Sequence, residues 1–482
     1  MNTTSNLKRT VTVLLGLAVA GLVAQAQTAG ATAKQLSPIE QWIQDAKNPA
    51  PWMTWGGDLR IRDEYYNDLV TLADGVPLHE QNVIRFRGRL WTSVVPVQDV
   101  SLNARLSAEP RDWTRPAFVG AYRAQQGMEW RYGIFDNLYL KWTNICNQPL
   151  TLSAGRQDIT FGDFWNWWLV ADGTPGDGSW AFFLDSVRLT YLANDIKTRF
   201  DAIYIYQNAR PGEWIPTLGR SKDYGLTEQN EQGVIFYASN KSLKDVTLDG
   251  YFMYKRDAKE FANGDNADIY TLGARVTGLA AENWQYSVEG AYQFGKKQDA
   301  TVRPLSADWR DIRAFGVNTK LSYLCKDKWN NKVSLVYEYL SGDDPNTGGR
   351  DEMFDLLWGR WPRFSEAYIY SYVPENSGKI AQVNNIQRLG VEWTLNPIKN
   401  MTFQAAYNAW FAPEEVPTRA GASLARFSQT GDFRGHYIQT ILKHTFSKHF
   451  NAHLWGEFIW EGDYYANRDL LTFLRAEVFF TF

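Results

Sequence analysis

The sequence predicts an all-β fold, a transmembrane antiparallel β-barrel of about 18 strands with short turns at one end and long loops at the other. Three observations lead to this expectation: apolar and polar side chains alternate with a period of two, short and long connections alternate along the chain, and aromatic residues are unusually frequent. The 482 residues include 21 Trp, 25 Tyr and 26 Phe, yet the mean hydropathy is only −0.40. A barrel explains both facts, because only every second residue of a strand faces lipid.

The first residues precede the barrel and carry signals of their own. A basic pair, the apolar run 11–23 and a small-x-small cleavage site match an export signal peptide over residues 1–26. The alternative is a single membrane anchor, which requires about 20 apolar residues, and this run is shorter. Residues 27–54 are predicted to form a periplasmic leader with one short helix, since Ser37 can cap it and Glu40 stands at the capping-box position.

The predicted outer-membrane barrel occupies residues 55–482, where the period of two begins and persists. Leu102 and Leu106, for example, flank the polar Arg105 at alternate positions. Strict alternation places one set of side chains on each face of a strand. The predicted strands are 55–66, 83–95, 97–109, 134–143, 149–158, 183–193, 197–208, 232–241, 244–256, 268–278, 282–295, 311–325, 329–341, 384–395, 399–411, 434–446, 448–462 and 467–482.

The connections between these strands fall into two length classes. Turns of a few residues lie at 194–196 and 242–243, whereas connections rich in Gly, Pro and Asp span 110–133, 159–182 and 342–383. The two classes alternate without exception along the predicted strands. A soluble sandwich has no need to sort its loops by length onto two ends, whereas an outer-membrane barrel has short periplasmic turns and long extracellular loops.

The apolar faces of the predicted strands suit contact with lipid. Leu389, Val391 and Trp393 mix aliphatic side chains with a ring near the strand end, as interfacial girdles require. The last strand alternates to a terminal Phe482, which resembles the C-terminal signature that barrel-assembly machinery binds. We therefore expect outer-membrane lipid and this machinery as partners, and a cell outer membrane of the Gram-negative type as the location. A periplasmic β-sandwich or propeller is the alternative.

Several stretches together resemble the alginate export family of outer-membrane porins. They are Trp55-Gly56-Gly57-Asp58-Leu59-Arg60, the stretch from Gly155 to Asp163, Ser341-Gly342-Asp343-Asp344 followed by Phe354-Asp355-Leu356-Leu357, and the C-terminal run from His436 to Phe482. Leu357-Trp358 replaces a Phe-Pro pair of the family. The resemblance covers nearly the whole predicted mature chain. It implies a barrel that passes anionic polysaccharide outward, and it does not identify alginate as the cargo.

Inward-facing side chains of the predicted strands indicate a lumen lined with arginine. Neighbouring strands lie about 4.8 Å apart and alternate residues about 6.6 Å apart, so arginines on the first three strands and the last strand form one patch. A guanidinium binds a carboxylate through two parallel N–H groups, and a row of weak sites lets a polyuronate move on. The patch consists of Arg60, Arg62, Arg85, Arg87, Arg89, Arg105 and Arg475. Further predicted substrate contacts in the lumen are Lys141, Arg188, Arg199 and Arg388.

Carboxylates on the same inward faces leave a second interpretation open. Asp58 and Glu64 lie among the arginines, which can therefore serve equally well in ion pairs that brace the wall. Asp249, Glu289 and Glu338 lie about halfway round the barrel, and this separation predicts a field across the lumen.

No catalytic, metal or cofactor site is predicted. None of the five histidines forms a His-Glu-x-x-His pair, and the sequence contains neither a Gly-x-Ser-x-Gly elbow nor a phosphate loop. Two cysteines exclude a disulfide-stapled scaffold, and a net charge of −3 does not favour nucleic acid as a partner.

The sequence therefore favours a non-enzymatic, passive and anion-selective porin for an acidic, alginate-like polysaccharide or oligosaccharide. The long connection 342–383 is expected to constrict or cover the mouth, and periplasmic export partners are a further expectation. The alternatives are a general or neutral-sugar porin, or an outer-membrane enzyme or adhesin that uses the barrel as a platform.

Overall fold

Strands dominate the protein's computed structural model, which describes residues 37–75, 79–114, 127–129, 133–161, 182–219, 225–299, 308–359, 364–379 and 383–482. The α-helices among these residues are α1 (Pro38–Lys47) and α2 (Ala367–Ser371). The strands are β1 (Met53–Asn67), β2 (Glu80–Val97), β3 (Val100–Ala108), β4 (Arg111–Trp113), β5 (Gly127–Glu129), β6 (Ile134–Trp142), β7 (Leu150–Gln157), β8 (Leu184–Ala193), β9 (Thr198–Gln207), β10 (Gln229–Asn240), β11 (Val246–Lys259), β12 (Asn266–Ala281), β13 (Trp284–Gln298), β14 (Arg310–Leu324), β15 (Lys332–Leu340), β16 (Arg350–Asp351), β17 (Ile386–Leu395), β18 (Met401–Phe411), β19 (Phe433–Thr445), β20 (Phe450–Glu461) and β21 (Leu470–Thr481). Within these ranges, no helix combines the length and the apolar character that a membrane crossing requires.

Eighteen of the described strands form a closed antiparallel barrel, because β21 pairs with β1. The ring runs from β1 through β2, β3 and β6 to β15, and then from β17 to β21. Closure leaves no unpaired edge in the wall, which lipid could not satisfy. Each of the 18 predicted strands is present within a few residues of its expected bounds, so the predicted fold class is confirmed.

Three short strands were not expected from the sequence. β4 follows β3 after Glu109 and Pro110, and it continues the pairing with β2 through Val83 opposite Trp113. The interruption occurs at Pro110, which has no N–H to donate to the neighbouring strand. β5 pairs with β4, and β16 pairs parallel with β14 inside the connection that follows β15.

The wall has an apolar outer face and a polar inner face. Leu389, Val391 and Trp393 on β17 are exposed on the outside, as predicted. Arg388 and Glu392, which alternate with them, are buried inside the barrel. The period of two in the sequence is therefore the period of the strand itself.

The connections keep the predicted division into two ends and the predicted alternation of length. The difference is smallest at 260–265, which is shorter than the turn 325–331 at the other end but longer than both of its neighbours along the chain, 241–245 and 282–283. Short and long connections therefore alternate as predicted. β11 continues three residues beyond its predicted end because it still pairs with β10 there, with Lys259 opposite Gln229.

Helix α1 lies at the end of the barrel that carries the short turns. Ser37 caps it, because the backbone N–H of Glu40 donates to its Oγ at 3.2 Å. Glu40 does not complete a capping box, and its carboxylate pairs instead with Lys448 at 3.3 Å. The predicted signal peptide and the first part of the leader lie outside the described residues.

Candidate substrate pathway through the lumen

β1, β2 and β21 bring most of the predicted arginines side by side on one wall. Arg60 lies opposite Arg87 in the β1–β2 register, and Arg62 lies opposite Arg85. Arg475 approaches the same place from β21. The predicted patch of arginines is therefore present; below, the inner surface of β1, β2, β3 and β21 is called the arginine wall.

Carboxylates within the arginine wall pair with these guanidinium groups. The pairs are Arg60 with Glu109 (3.3 Å), Arg62 with Glu477, Arg85 with Glu64 (3.1 Å), Arg87 and Arg89 with Asp58 (3.5 and 2.7 Å), Arg105 with Asp136 and Asp158 (2.8 and 2.9 Å), and Arg475 with Glu64 (2.7 Å). The side chains of Arg62 and Arg475 are fully buried. The sequence left open whether these arginines contact the substrate or form ion pairs that brace the wall. This geometry agrees with ion pairing.

The remaining predicted cations lie elsewhere in the lumen. Arg188 and Arg199 both pair with Asp201, at 2.9 and 2.8 Å. Arg388 pairs with Glu338 at 3.1 Å and is fully buried. Lys141 is exposed and makes no ion pair with any residue that the structure describes.

The predicted separation of charge across the lumen is wrong. Arg275 lies directly opposite Asp249 in the β11–β12 register and directly opposite Glu289 in the β12–β13 register. Glu338 has Arg388 beside it. The acidic side chains halfway round the barrel thus have basic neighbours, as the arginines have acidic ones, and local neutralisation replaces a transverse field.

The described parts of the connection after β15, residues 341–359, 364–379 and 383–385, fold into the lumen and contact the arginine wall; they are called the inserted segment below. Glu366 pairs with Arg475 at 2.9 Å, and the ring of Tyr370 lies 4.8 Å from that of Tyr66 on β1. Ser365 donates to Glu457 on β20 at 2.7 Å.

The same segment also reaches the other side of the barrel. Trp358 is buried against Gly233 on β10, where an added Cβ would lie 2.6 Å from the indole ring. Asp355 pairs with Lys297 on β13 at 3.4 Å. Contacts with β1, β20 and β21 and with β10 and β13 show that the inserted segment crosses the lumen.

The Asp355 carboxylate remains ionised over a wide pH range. Burial alone would raise its pKa, but the ammonium groups of Lys255 and Lys297 lower the pKa of Asp355 to about 2. A lowered pKa means that the ionised form is favoured in the folded protein, so this contact is complete above about pH 4 and weakens as the pH falls towards 2.

An open cavity of about 690 Å³ lies in the half of the lumen near the short turns, against β8 to β13. Lys197, Arg199 and Lys241 line it and are exposed. Arg275 is a fourth cation in its wall, and the carboxylates of the lining are Asp201, Asp245 and Asp249. This cavity combines accessible positive charge with space for a ligand.

Aromatic rings form part of the wall of this cavity. Phe161 stacks on Tyr237 with ring centroids 4.2 Å apart, and Tyr237 is nearly parallel to Tyr251 at 6.0 Å. The guanidinium of Arg188 lies 5.4 Å from the Phe161 ring centroid. Phe161 and Tyr237 are both buried and Tyr237 is enclosed between two rings, so the stack shapes the cavity wall, while the exposed cations offer contacts to a carboxylate.

Sequence reasoning did not identify Lys197, Lys241, Phe161 or Tyr237 as site residues. Lys197 and Lys241 stand at the ends of the predicted strands 197–208 and 232–241, one residue outside the observed strands, and Lys197 shares the inward parity of Arg199, so alternation could have selected it. The aromatic side chains are inconspicuous in a chain with this many rings.

Residues 52–478 match the family model for alginate export. The chain belongs to the alginate export family. This confirms the resemblance that the sequence motifs suggested. No curated protein has a matching sequence.

Solved structures with a similar fold are outer-membrane porins. OprD of Pseudomonas aeruginosa has 11% identity and a TM-score of 0.50, over 89% of this chain and 95% of its own. OccK8 (OprE) of Pseudomonas aeruginosa has 11% identity and a TM-score of 0.52, over 89% and 98%. OccAB1 of Acinetobacter baumannii has 10% identity and a TM-score of 0.52, over 89% and 96%. At this identity the similarity shows the fold alone.

Proposed function

We propose that this porin passes acidic oligosaccharides or polysaccharides, alginate-like polyuronates among them, passively and with a preference for anions. The observation that carries the proposal is the cavity of about 690 Å³, around which Lys197, Arg199 and Lys241 are exposed. Exposed cations in a confined, low-dielectric space raise the local concentration of anions. They also bind each carboxylate weakly enough for it to be released.

Within the predicted set of arginines, we assign cargo contact first to Arg199. Its side chain keeps 43% of its surface exposed although it pairs with Asp201. Arg89, Arg105 and Arg188 are partly exposed and come next, together with the exposed Lys141. The buried members of the arginine wall, Arg60, Arg62, Arg85, Arg87 and Arg475, together with Arg388, brace the barrel in this proposal.

A second candidate function is a porin for neutral sugars. The extensive pairing of lumen arginines favours it, since a paired guanidinium attracts an anion less strongly than a free one.

Conductance of the purified protein in a planar bilayer distinguishes the two candidates. The first predicts a reversal potential that favours anions in a KCl gradient, and block by oligouronates at lower concentrations than by neutral oligosaccharides of the same length. Joint replacement of Lys197, Arg199 and Lys241 by Ala should remove most of this difference. Lys326→Ala, an exposed lysine in a turn at the same end, is the matched control. Equal block by both sugars would favour the neutral-sugar porin.

A further inference from the structure

The outer loop between β1 and β2 folds back on itself beside the seam where β1 meets β21. Asp68 directly follows β1, and its backbone N–H donates to the carbonyl of His79, which precedes β2, at 2.9 Å. Asp74 lies between them in the chain, and its backbone N–H donates to Oδ2 of Asp469 at 3.1 Å. Asp469 belongs to the neighbouring outer loop between β20 and β21. Two loops therefore present polar side chains to one place.

Three of these side chains bring suitable metal ligands together. One carboxylate oxygen each from Asp68 and Asp74 and one ring nitrogen of His79 lie within 4.8 Å of one another. A further carboxylate adjoins them, because the backbone N–H of Asp469 donates to Oε2 of Glu461 at 2.9 Å. The carboxylates of Asp68, Asp74, Glu461 and Asp469, with His79, are called the seam cluster below.

The seam cluster lacks the counter-charge that carboxylates elsewhere in the barrel possess. Within the described ranges, none of its carboxylates forms an ion pair with Lys or Arg. In the arginine wall, by contrast, the single carboxylate of Glu64 pairs with both Arg85 and Arg475. Asp68 is fully buried, yet its Oδ1 has no hydrogen-bond partner among the described residues. Oε1 of the buried Glu461 likewise has no hydrogen-bond partner among the described residues. A buried carboxylate oxygen without a partner is strongly destabilising, and a cation removes that penalty.

We propose that Asp68, Asp74 and His79 bind a divalent metal ion at the outer end of the barrel seam, and that Glu461 and Asp469 complete its negative surroundings. Mixed carboxylate and imidazole ligands suit Zn²⁺ or Mn²⁺, whereas Ca²⁺ and Mg²⁺ prefer oxygen ligands alone. The ion supplies the absent counter-charge and ties the start of the β1–β2 loop to its end. Leu69 and Leu72 of the same loop are buried in the interior cluster with Tyr66, so the ion also stabilises the outer edge of the arginine wall.

Metal binding to the purified full-length protein tests this site. After treatment with a chelator, Mn²⁺ is titrated into the protein in detergent and followed by electron paramagnetic resonance, and Zn²⁺ is then added in competition. We expect saturable binding of one ion that Zn²⁺ displaces. Asp68→Asn and His79→Ala should each weaken binding by about tenfold or more. Asp432→Asn, which alters an exposed carboxylate at the same end, should leave binding unchanged.

Hydrogen exchange of the β1–β2 loop provides a second readout. Mn²⁺ should slow exchange there in the wild-type protein and have no effect in Asp68→Asn, whose folding is checked by heat-modifiable mobility. Absence of saturable binding in the wild type would overturn the proposal, as would equal binding by Asp68→Asn, which would indicate ions held by residual anionic lipid. Tighter binding of Ca²⁺ than of Mn²⁺ would overturn the assignment of His79 as a ligand. None of these outcomes depends on the cargo of the channel.

Discussion

Two walls of the same lumen use arginine in different ways. In the arginine wall, Arg62 and Arg475 are fully buried and paired with Glu477 and Glu64, and Glu366 of the inserted segment pairs with Arg475. On the opposite side, Arg199 also pairs with a carboxylate, but 43% of its side chain remains exposed to an open cavity. The difference teaches that an arginine on the inner face of a barrel is not by itself a binding site. What covers it decides whether it supports the wall or meets the cargo.

Removing the cover should have the largest effect. Replacement of residues 345–381 by a short Gly-Ser linker takes away the part of the inserted segment that crosses the lumen. Single-channel conductance in a planar bilayer should then rise several-fold, because the cross-section near the arginine wall widens. Asp355→Asn, which removes the negative charge beside Lys255 and Lys297, should raise open-channel noise without the full increase. An unchanged conductance in a correctly folded variant would show that the inserted segment does not limit the pathway.

Stability should separate the two walls next. Arg62→Ala leaves the buried Glu477 with less counter-charge, so the free energy of unfolding should fall by about 3–5 kcal/mol. Arg199→Ala removes a half-exposed partner and should lower it by about 1 kcal/mol or less. Urea unfolding in detergent, followed by tryptophan fluorescence, measures both. Similar losses for the two variants would remove the distinction between a bracing wall and an accessible one.

Ion selectivity should depend more on Arg199 than on the arginine wall, which is the reverse of the order expected for stability. Arg199→Ala should shift the reversal potential in a KCl gradient towards zero, because it removes an accessible charge from the cavity. Arg87→Ala, on the covered wall, should leave the selectivity close to the wild-type value. A larger shift for Arg87→Ala than for Arg199→Ala would return the arginine wall to the substrate pathway.

The smallest expected effect concerns the aromatic stack. Tyr237→Ala removes the buried ring that lies between Phe161 and Tyr251, so the wall of the cavity should loosen and block by an oligosaccharide should weaken by a factor of about two. Tyr407→Ala, on the outer face, should have no effect on block. Unchanged block in a correctly folded Tyr237→Ala variant would show that the stack does not shape the binding cavity.

Much of the barrel could be predicted because its rules are local. Alternation along each strand depends only on the period of the extended backbone, so Leu389, Val391 and Trp393 could be assigned to the outer face before any neighbour was known. The succession of hairpins then places consecutive strands side by side, which brings Arg60, Arg62, Arg85 and Arg87 together. Cleavage of the signal peptide, assembly by the barrel-assembly machinery and delivery by periplasmic partners remain predictions.

The candidate site was less predictable because its contacts join distant parts of the chain. Glu366 lies far from Arg475 in sequence, and no period relates the two. Lys241 reaches the cavity from a turn, and Asp74 meets Asp469 across the closure of the ring. Each of these contacts depends on a loop conformation that strand alternation does not specify.

The sequence alone therefore determined the barrel, its number of strands and the side on which each strand residue lies, since these follow from a period of two and from the order of hairpins. The tertiary structure alone decided which charges remain available. Whether Arg62 or Arg199 can contact a polysaccharide depends on the carboxylate beside it and on the segment folded over it. Burial and pairing are properties of the folded lumen and not of the residue type.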